Sequence, residues 1–290
     1  MRFGKAQNMS TWLLHLFLFY KEKIFRQLIP IMVVIAVYAL VVVYFDKNTT
    51  KFAKIDALNL GQFHLIFSFI LGILVSFRIN STFNRWWEGR ILWGGIVNNC
   101  RNLGLKFENF VGLKNYPEFY QYLQVLPVMM KLHLRKDVLA IERELAQLGV
   151  KEKINHPVVF IAQQMYAILN RLRDEEKIRF EQYMAMDVHL ANLIDLLGGC
   201  ERIANTGIPA AFAFFIKQGL LFYALIFPFG WVDEFGYLII PLILMIVYTL
   251  LGLEILSEEL EDPFGCDEND LPLDMITNNI GNNLRQISGS

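Results

Sequence analysis

LNLGQFHLIFSFILGILVSFRI, residues 58–79, decides the fold of this chain. It is apolar over a length that crosses a lipid bilayer as a helix, which takes about 20 residues. Two stripes run along it at helical spacing, one large and apolar (Phe69, Ile73, Phe77) and one of small residues (Ser68, Gly72, Ser76). Such a helix can turn its large side chains towards a pore or core and pack neighbouring helices along the small ones. An ordinary spanning helix with its large side chains in lipid fits the same pattern.

The composition also indicates a membrane protein. Charged residues make up 19% of the 290 residues, against about 25% in soluble domains. The net charge is −1 and no basic patch alternates with aromatic residues, so we expect no nucleic-acid partner. Cys100, Cys200 and Cys266 are odd in number and contain no CxxC pair. This argues against a disulfide framework or a cysteine zinc site and fits a reducing compartment.

Four segments are predicted to span the membrane: 28–45, 58–79, 208–231 and 237–256. Aromatic residues such as Tyr44 and Trp231 lie near their ends, at the level that headgroups occupy. The shorter stretch 12–20 ends in basic residues and is predicted to lie in the interface as a helix.

Basic residues predict the orientation. They are frequent before the first span and after the second, where Arg78, Arg85, Arg90 and Arg101 follow one another. The turn 232–235 has none, and the lysines of the first turn weaken the bias without reversing it. Because Lys and Arg are enriched on the cytoplasmic side, both termini and the middle region are predicted to be cytoplasmic.

The middle region, 80–207, is predicted to be helical throughout, because apolar residues return at helical spacing and no strand alternation is sustained. We expect breaks at 112–117, at 149–157 and at Gly198-Gly199, and none between Ile79 and Arg90. With no flexible linker, the chain is predicted to form one continuous domain. Its parts are an interfacial helix with the first pair of spans (1–79), a helical cytosolic region (80–207), the second pair of spans (208–256) and an acidic C-terminal segment (257–290).

The sequence carries no catalytic motif. It lacks HExxH, a phosphate-binding glycine loop and a GxSxG elbow. No two histidines lie at metal-ligand spacing, so we predict structural roles for all five and no enzymatic activity; they are His15, His64, His133, His156 and His189.

Two polar residues lie inside predicted spans. His64 is within about two turns of the start of its span, which suits a wet pore entrance. Lys217 lies among phenylalanines and should face protein or water, either paired or snorkelling. Its role can be structural or conducting.

The C-terminal run 254–274 is rich in carboxylates. Pro263 and Gly265 are expected to end the last helix and begin an acidic loop. Asp267, Asn269 and Asp270 could supply oxygen ligands to calcium, although their spacing is not that of a helix-loop-helix calcium site.

Three blocks of sequence occur in order along the chain. They are 68–78 followed by Asn84-Arg85-Trp86-Trp87, then Gly199-Cys-Glu-Arg-Ile-Ala-Asn-Thr206, then Asp262-Pro263-Phe264-Gly265 with acidic residues after it. Together they resemble the bestrophin family of ion channels, in its bacterial branch. The resemblance covers both membrane pairs, whereas 112–155 carries no family motif.

The resemblance implies an all-α membrane protein with four transmembrane helices per subunit, assembled as a homopentamer around one central pore. The family's hydrophobic neck corresponds to Phe69, Ile73 and Phe77, and its cytosolic constriction to Ile178. The calcium clasp of eukaryotic members would fall on Glu259, Asp262, Asp267 and Asp270. Two of these, Glu259 and Asp262, replace amides with carboxylates. No cofactor is therefore required, and calcium or another divalent ion remains open.

The expected function is passage of small monovalent ions across a bacterial inner membrane, with chloride favoured and the apolar neck as gate. The expected partners are further copies of the chain, small inorganic ions and the lipid bilayer. A sodium or potassium channel of the same fold is the alternative; a secondary transporter or a non-conducting scaffold is the rival class. Glu259 and Asp262 are expected to pair with Arg85 or Arg90 of a neighbouring subunit as a structural lock, in preference to binding calcium.

Overall fold

The structure is a computed structural model that describes residues 23–48, 60–150, 152 and 154–289. Over these residues it consists of helices and their connections, without strands. The α-helices, in chain order, are α1 (Lys23–Asn48), α2 (Leu60–Phe110), α3 (Pro117–Leu134), α4 (Val138–Gln147), α5 (Pro157–Asp174), α6 (Phe180–Asn205), α7 (Ala210–Phe235), α8 (Ile239–Glu261) and α9 (Leu273–Ser288). Short 3-10 turns occupy Leu113–Asn115 and Gly236–Leu238. The interfacial helix predicted at 12–20 lies outside the described residues.

The chain divides into two compact units. The apolar unit comprises residues 1–83 and 208–258, and the polar unit comprises residues 84–207 and 259–290. These boundaries lie within a few residues of those predicted at 79/80, 207/208 and 256/257. That the parts form one continuous domain stays a prediction.

Three apolar helical stretches are long enough to cross a membrane among the described residues: Lys23–Asn48, Leu60–Phe110 and Ala210–Glu261. The third contains α7 and α8, of 26 and 23 residues, separated by the turn that starts at Gly236. Gly236 has φ 51°, which favours glycine, so the sequence can turn there. At about 1.5 Å per residue, α7 and α8 are each as long as a bilayer core of about 30 Å is thick.

The core of the apolar unit is built from one face of each of its helices. Leu71 and Val75 of α2 are each 2% exposed and pack with residues of α1, α7 and α8. Partners include Ala39, Leu220 and Ile243. The outer faces carry many exposed large apolar side chains, as expected of helices that lie in lipid or against another subunit.

Helix α2 is 51 residues long and continues without interruption from the apolar unit into the polar unit. It has no internal proline, and its glycines are compatible with helix. This confirms the prediction that no break falls between Ile79 and Arg90.

The polar unit is a helical layer with its own core. Phe107 of α2 stacks on Phe119 of α3 with ring centroids 3.9 Å apart, and α3 also contacts α5 and α9. The predicted breaks at 112–117 and 149–157 are confirmed. At each, a glycine with positive φ (Gly112 at 81°, Gly149 at 78°) is followed by a proline that begins the next helix.

The break predicted at Gly198-Gly199 is wrong, because both glycines lie inside α6. A Cβ at Gly199 would come within 2.9 Å of Leu92 Cδ2, so this glycine allows α6 to approach α2 closely. Two further breaks were not predicted. Lys136 and Glu176 adopt positive φ, at 56° and 54°, and separate α3 from α4 and α5 from α6.

Candidate functional site

The large apolar stripe of α2 is exposed in the single chain. Phe69, Ile73 and Phe77 are 69%, 40% and 62% exposed, whereas Leu71 and Val75 on the other side of the helix are buried. The helix therefore holds one face against its own unit and presents the other outwards. An open groove of about 730 Å³ runs along the presented face.

The small-residue stripe lines the same groove. Ser68, Gly72 and Ser76 border it together with the three large side chains. A Cβ at Gly72 would meet nothing within 4 Å, so this glycine is not packed by another helix of the chain. The Ser76 hydroxyl donates to the Gly72 carbonyl oxygen at 2.7 Å, and that of Ser68 to the Leu65 carbonyl oxygen at 3.0 Å. Within the described chain, the predicted helix packing along this stripe is thus not made at Gly72.

A buried ion pair lies on the inner side of α2. Arg78 Nε and Glu254 Oε2 are 2.9 Å apart, with side chains 1% and 2% exposed, so the pair joins α2 to α8 inside the apolar unit. Burying two charges is costly unless they are paired, so their partnership constrains how these helices pack. Sequence analysis placed Arg78 among basic flanking residues and Glu254 at the start of the acidic run, and did not connect them.

Lys217 of α7 pairs with Glu258 of α8, one turn beyond Glu254. Of the two predicted alternatives for Lys217, paired or snorkelling, the structure confirms the paired one. Both side chains remain about half exposed, at 44% and 47%. Glu254 and Glu258 of α8 thus each bind a basic residue from a different helix.

His64 does not lie at a wet entrance, contrary to expectation. It is 2% exposed, and its Nε2 lies 3.1 Å from the Ile226 carbonyl oxygen of α7. The rings of Tyr223 and Phe227 contact it edge-on, each with centroids 5.5 Å away. A Cβ at Gly230 would come within 2.5 Å of the imidazole, so the small residue on α7 makes room for it. His64 is a packed, hydrogen-bonded core residue.

Arg85 binds the carboxyl ends of two helices. Its guanidinium donates to the carbonyl oxygens of Ile203 and Thr206 at the end of α6, at 2.7 and 2.6 Å, and to that of Glu261 at the end of α8, at 3.3 Å. Terminal carbonyls have no partner within their helix and carry partial negative charge, which a guanidinium satisfies. Arg85 thus binds carbonyl oxygens of its own chain, and its pairing with Glu259 or Asp262 of a neighbouring subunit stays a prediction.

The Trp-containing signature and the Asp262-Pro263-Phe264-Gly265 segment contact each other. Trp86 Nε1 donates to the Asn269 carbonyl oxygen at 3.0 Å, and Trp87, half exposed, stacks beside Trp86. Phe264 is fully buried, and a Cβ at Gly89 of α2 would lie 3.1 Å from its ring. The segments 84–87 and 262–265 therefore belong to one packed contact region.

The acidic loop is held by its own side chains. Asp270 accepts a hydrogen bond from the Asp267 backbone N–H at 2.6 Å, and Glu259 accepts one from the Asn269 amide at 2.7 Å. A Cβ at Gly265 would come within 2.7 Å of the Asp270 carboxylate, so any other residue there would displace that carboxylate. Burial, followed by the neighbouring carboxylates, raises the pKa of Asp270 to about 6.

Lys131 of α3 and Arg135, which directly follows α3, bind the acidic loop and the start of α9. Arg135 Nε donates to the carbonyl oxygens of Phe264 and Gly265, and its Nη1 lies 2.9 Å from Asp274 of α9. Lys131 contacts the same carboxylate at 2.8 Å. These hydrogen bonds, that of Lys131 first, lower the pKa of Asp274.

No three of the carboxylates proposed for calcium have ligand oxygens all within 4.8 Å of one another in the described chain. Its one group of three or more acidic, histidine or cysteine residues with ligand atoms all within 4.8 Å is His133, His156 and Glu201. Asp262 and Asp267 are exposed, while Glu259 is 9% exposed and engaged by Asn269. The loop is an ordered structural element in its own right.

The assignment of the cytosolic constriction to Ile178 is corrected. Ile178 is 3% exposed and belongs to the hydrophobic core of the polar unit. A side chain that narrows a shared pore must be exposed in the single chain, so Ile178 does not fit that role. Phe180, at the start of α6, is 64% exposed.

Long apolar helices, an exposed apolar stripe on one of them and a helical unit of polar sequence define an all-helical membrane protein. A family model described as Bacterial/Fungal Bestrophin protein matches residues 5–286. A voltage-dependent anion channel-forming protein of Nostoc sp. is 35% identical over 231 residues, which cover 76% of this chain and 75% of that protein. Another of that description, from Synechocystis sp., is 34% identical over 236 residues, covering 78% and 77%.

Solved structures agree with the sequence comparison. The chain superposes on a crystal structure of a bacterial bestrophin homolog from Klebsiella pneumoniae with a TM-score of 0.79 and 26% identity, covering 91% of this chain and 100% of that one. The chain belongs to the bestrophin family. Because the family consists of channels, the prediction that this protein is not an enzyme is confirmed.

Proposed function

We propose that the chain forms a pentameric channel for small anions, with chloride favoured, in which α2 lines the pore. The observation that carries the proposal is the exposure of Phe69, Ile73 and Phe77 on one face of a helix whose opposite face is buried. Three large apolar side chains four residues apart make three successive rings when several copies of α2 surround one axis. The same stripe facing lipid is the competing interpretation.

The neck would gate by dewetting. Rings of phenylalanine and isoleucine give a permeating ion no partner to replace its hydration shell, so the ion waits for the neck to widen. No charged filter is required for such a gate. Conductance is then set by the size of these side chains and by the packing that holds α2 in place.

A single α2 cannot enclose a path, so the function requires several copies arranged by rotational symmetry. We propose five, as the family resemblance implies. The groove along Ser68, Gly72 and Ser76 supports this, because its unfilled face leaves room for a neighbouring subunit. Particles measured in detergent should have five times the chain mass of 33.7 kDa.

The proposed topology has four spans. They are α1, the first part of α2, α7 and α8, with the turn at Gly236–Leu238 between the last two. The distribution of Lys and Arg supports both termini and the polar unit on the cytoplasmic side of a bacterial inner membrane.

Anion selectivity is supported by the printed descriptions of the Nostoc and Synechocystis relatives. Aromatic ring edges carry partial positive charge, so the phenylalanine rings favour anions that pass edge-on. A monovalent cation channel of the same fold is the alternative, since the neck itself carries no charge. A secondary transporter is disfavoured by α2, which lacks the midplane interruption typical of such proteins.

The test is ion flux into liposomes that contain the purified protein. Chloride flux that exceeds sodium flux under equal gradients is expected. Sodium flux with no chloride flux would replace the anion channel with the cation alternative. Absence of flux for both ions, from protein shown to be folded and inserted, would contradict the channel itself.

A further inference from the structure

Three side chains that are far apart in sequence meet at one end of the polar unit. His133 lies in the last turn of α3, His156 immediately precedes α5 and Glu201 lies in α6. His133 precedes Glu201 by 68 residues and His156 precedes it by 45, so the three residues form no sequence motif. The fold brings together a histidine of α3, a glutamate of α6 and the histidine that caps the start of α5.

The two imidazoles meet at one carboxylate oxygen. Nε2 of His133 lies 2.7 Å from Glu201 Oε1, and Nε2 of His156 lies 3.1 Å from the same oxygen. The two rings are 4.6 Å apart, tilted by 33°. All three ligand atoms lie within 4.8 Å of one another. In a tetrahedral zinc site with bonds of about 2.0–2.1 Å, neighbouring ligand atoms are about 3.3 Å apart. On metal binding, the contact of His133 with Glu201 would widen by about 0.6 Å and that of His156 by about 0.2 Å.

We propose that His133, His156 and Glu201 form a binding site for zinc or a chemically similar divalent cation. Two imidazole nitrogens and one carboxylate oxygen suit zinc, whereas calcium and magnesium prefer oxygen ligands throughout. The site adjoins an open cavity of about 370 Å³ lined by His133 and Glu201, and by Asn155 and Pro157 on either side of His156. The cavity gives the ion an entry path and leaves the fourth position to water.

The ligands are partly exposed, which suits reversible binding. Their side chains are 26%, 38% and 28% exposed for His133, His156 and Glu201. Without a metal, the carboxylate accepts hydrogen bonds from both rings, so the residues are satisfied in the empty state as well. A bound ion would replace these hydrogen bonds with coordinate bonds and fasten α3, α5 and α6 to one another.

His156 also caps a helix, and this gives a precise way to test the site. Its Nδ1 accepts a hydrogen bond from the Val159 backbone N–H at 3.3 Å, at the start of α5. The proton of the neutral ring is therefore on Nε2. To bind a metal through Nε2, the ring must carry its proton on Nδ1 instead, and Nδ1 can then no longer accept the hydrogen bond from Val159. Asparagine is a good cap but has no imidazole nitrogen, so His156→Asn keeps the helix start and removes the ligand.

The experiment is titration calorimetry of the untagged, metal-stripped full chain in detergent with Zn²⁺, and separately with Ca²⁺. We expect one Zn²⁺ per chain and no competition from millimolar Ca²⁺. His133→Ala, His156→Asn and Glu201→Gln should each weaken Zn²⁺ binding at least roughly 100-fold. His189→Gln is the matched control. His189 is a histidine of α6 that contacts Lys106 and Asn99 instead, so its loss should leave binding unchanged.

Co²⁺ provides a second measurement. Its visible absorption should report a tetrahedral nitrogen and oxygen environment in the wild-type chain and disappear in His156→Asn, whose fold is checked by circular dichroism. Absence of saturable Zn²⁺ binding, or affinity that is the same in His156→Asn as in the wild type, would overturn the proposal. The readout is metal binding alone, so its outcome is independent of whether the chain conducts anions.

Discussion

Arg78 of α2 and Glu254 of α8 form an ion pair with Nε and Oε2 2.9 Å apart and both side chains almost completely buried. The surrounding core consists mostly of aliphatic and aromatic side chains, and this pair links the proposed pore helix to the last span. Breaking a buried pair by removing one partner leaves a charge in an apolar surrounding, which costs more than the intact pair contributes.

Glu254→Gln is therefore expected to destabilise the protein by about 3 kcal/mol, measured as a lower midpoint of thermal unfolding in detergent. Adding Arg78→Met to Glu254→Gln should recover part of the loss, because Arg78→Met removes the charge that Glu254→Gln leaves buried and unpaired. Glu258→Gln is the matched control, since its pair with Lys217 is about half exposed and should contribute less than about 1 kcal/mol. Equal losses for Glu254→Gln and Glu258→Gln would contradict this account.

Gly89 is expected to be intolerant of alanine, unlike a neighbouring glycine of the same helix. A Cβ at Gly89 meets the Phe264 ring at 3.1 Å and Pro263 at 3.3 Å, whereas a Cβ at Gly94 meets nothing within 4 Å. Gly94→Ala should stabilise α2 by up to about 1 kcal/mol through helix propensity. Gly89→Ala should instead lower the unfolding midpoint, because it displaces the buried Phe264. If both substitutions raised the midpoint, the close contact between the two signatures would not exist.

Simultaneous substitution of Phe69, Ile73 and Phe77 by alanine should increase single-channel conductance. It should also make channel opening depend less on the stimulus that opens the wild-type channel. Removing the large side chains widens the neck and lets water remain in it. Leu221→Ala on α7 is the control, since Leu221 is also a large exposed apolar residue, at 57%, but is not on α2. Unchanged currents in the triple variant would place the constriction elsewhere.

Channel activity is expected to persist when calcium is chelated. Glu259 and Asp270 are already hydrogen-bonded within the acidic loop, and among the described residues no three carboxylates there have ligand oxygens all within 4.8 Å of one another. Activity is measured first with micromolar calcium and then with excess chelator. Loss of activity on chelation, restored by calcium alone, would show that the loop is a regulatory calcium site.

The helices were predictable where local sequence decides them. The continuous α2 follows from the lack of a proline between Ile79 and Arg90, and the joints at Gly112 and Gly149 follow from glycines placed before prolines. The break predicted at Gly198-Gly199 was wrong because a glycine can allow close helix packing as well as a turn. Here Gly199 lies inside a helix and packs against Leu92. Lys136 and Glu176 adopt positive φ without any residue type that announces it.

The site was predictable only where one helix holds it. Phe69, Ile73 and Phe77 lie on a single face, so their spacing shows that they share a surface. Pairs between helices, such as Arg78 with Glu254 and His133 with Glu201, depend on tertiary packing that spacing does not encode. The assignment of Ile178 failed for the same reason, since counting residues cannot show which way a side chain points.

Modification of a single cysteine placed on the stripe tests most directly whether that face of α2 lines the ion path. The native thiols permit it. Cys100 and Cys200 are buried, and burial raises the pKa of Cys200 to about 12, which keeps it in the unreactive thiol form; only the exposed Cys266 among the three needs replacement by serine. Phe77→Cys and the control Leu221→Cys are then made in that background.

A charged methanethiosulfonate reagent reacts where a thiol meets water, and does not reach a thiol in lipid. The account predicts that the reagent changes the current carried by Phe77→Cys rapidly and irreversibly, while Leu221→Cys is unaffected. Current through Phe77→Cys that stays unchanged, with its thiol unmodified, would show that the stripe faces lipid and would contradict a pore lined by α2.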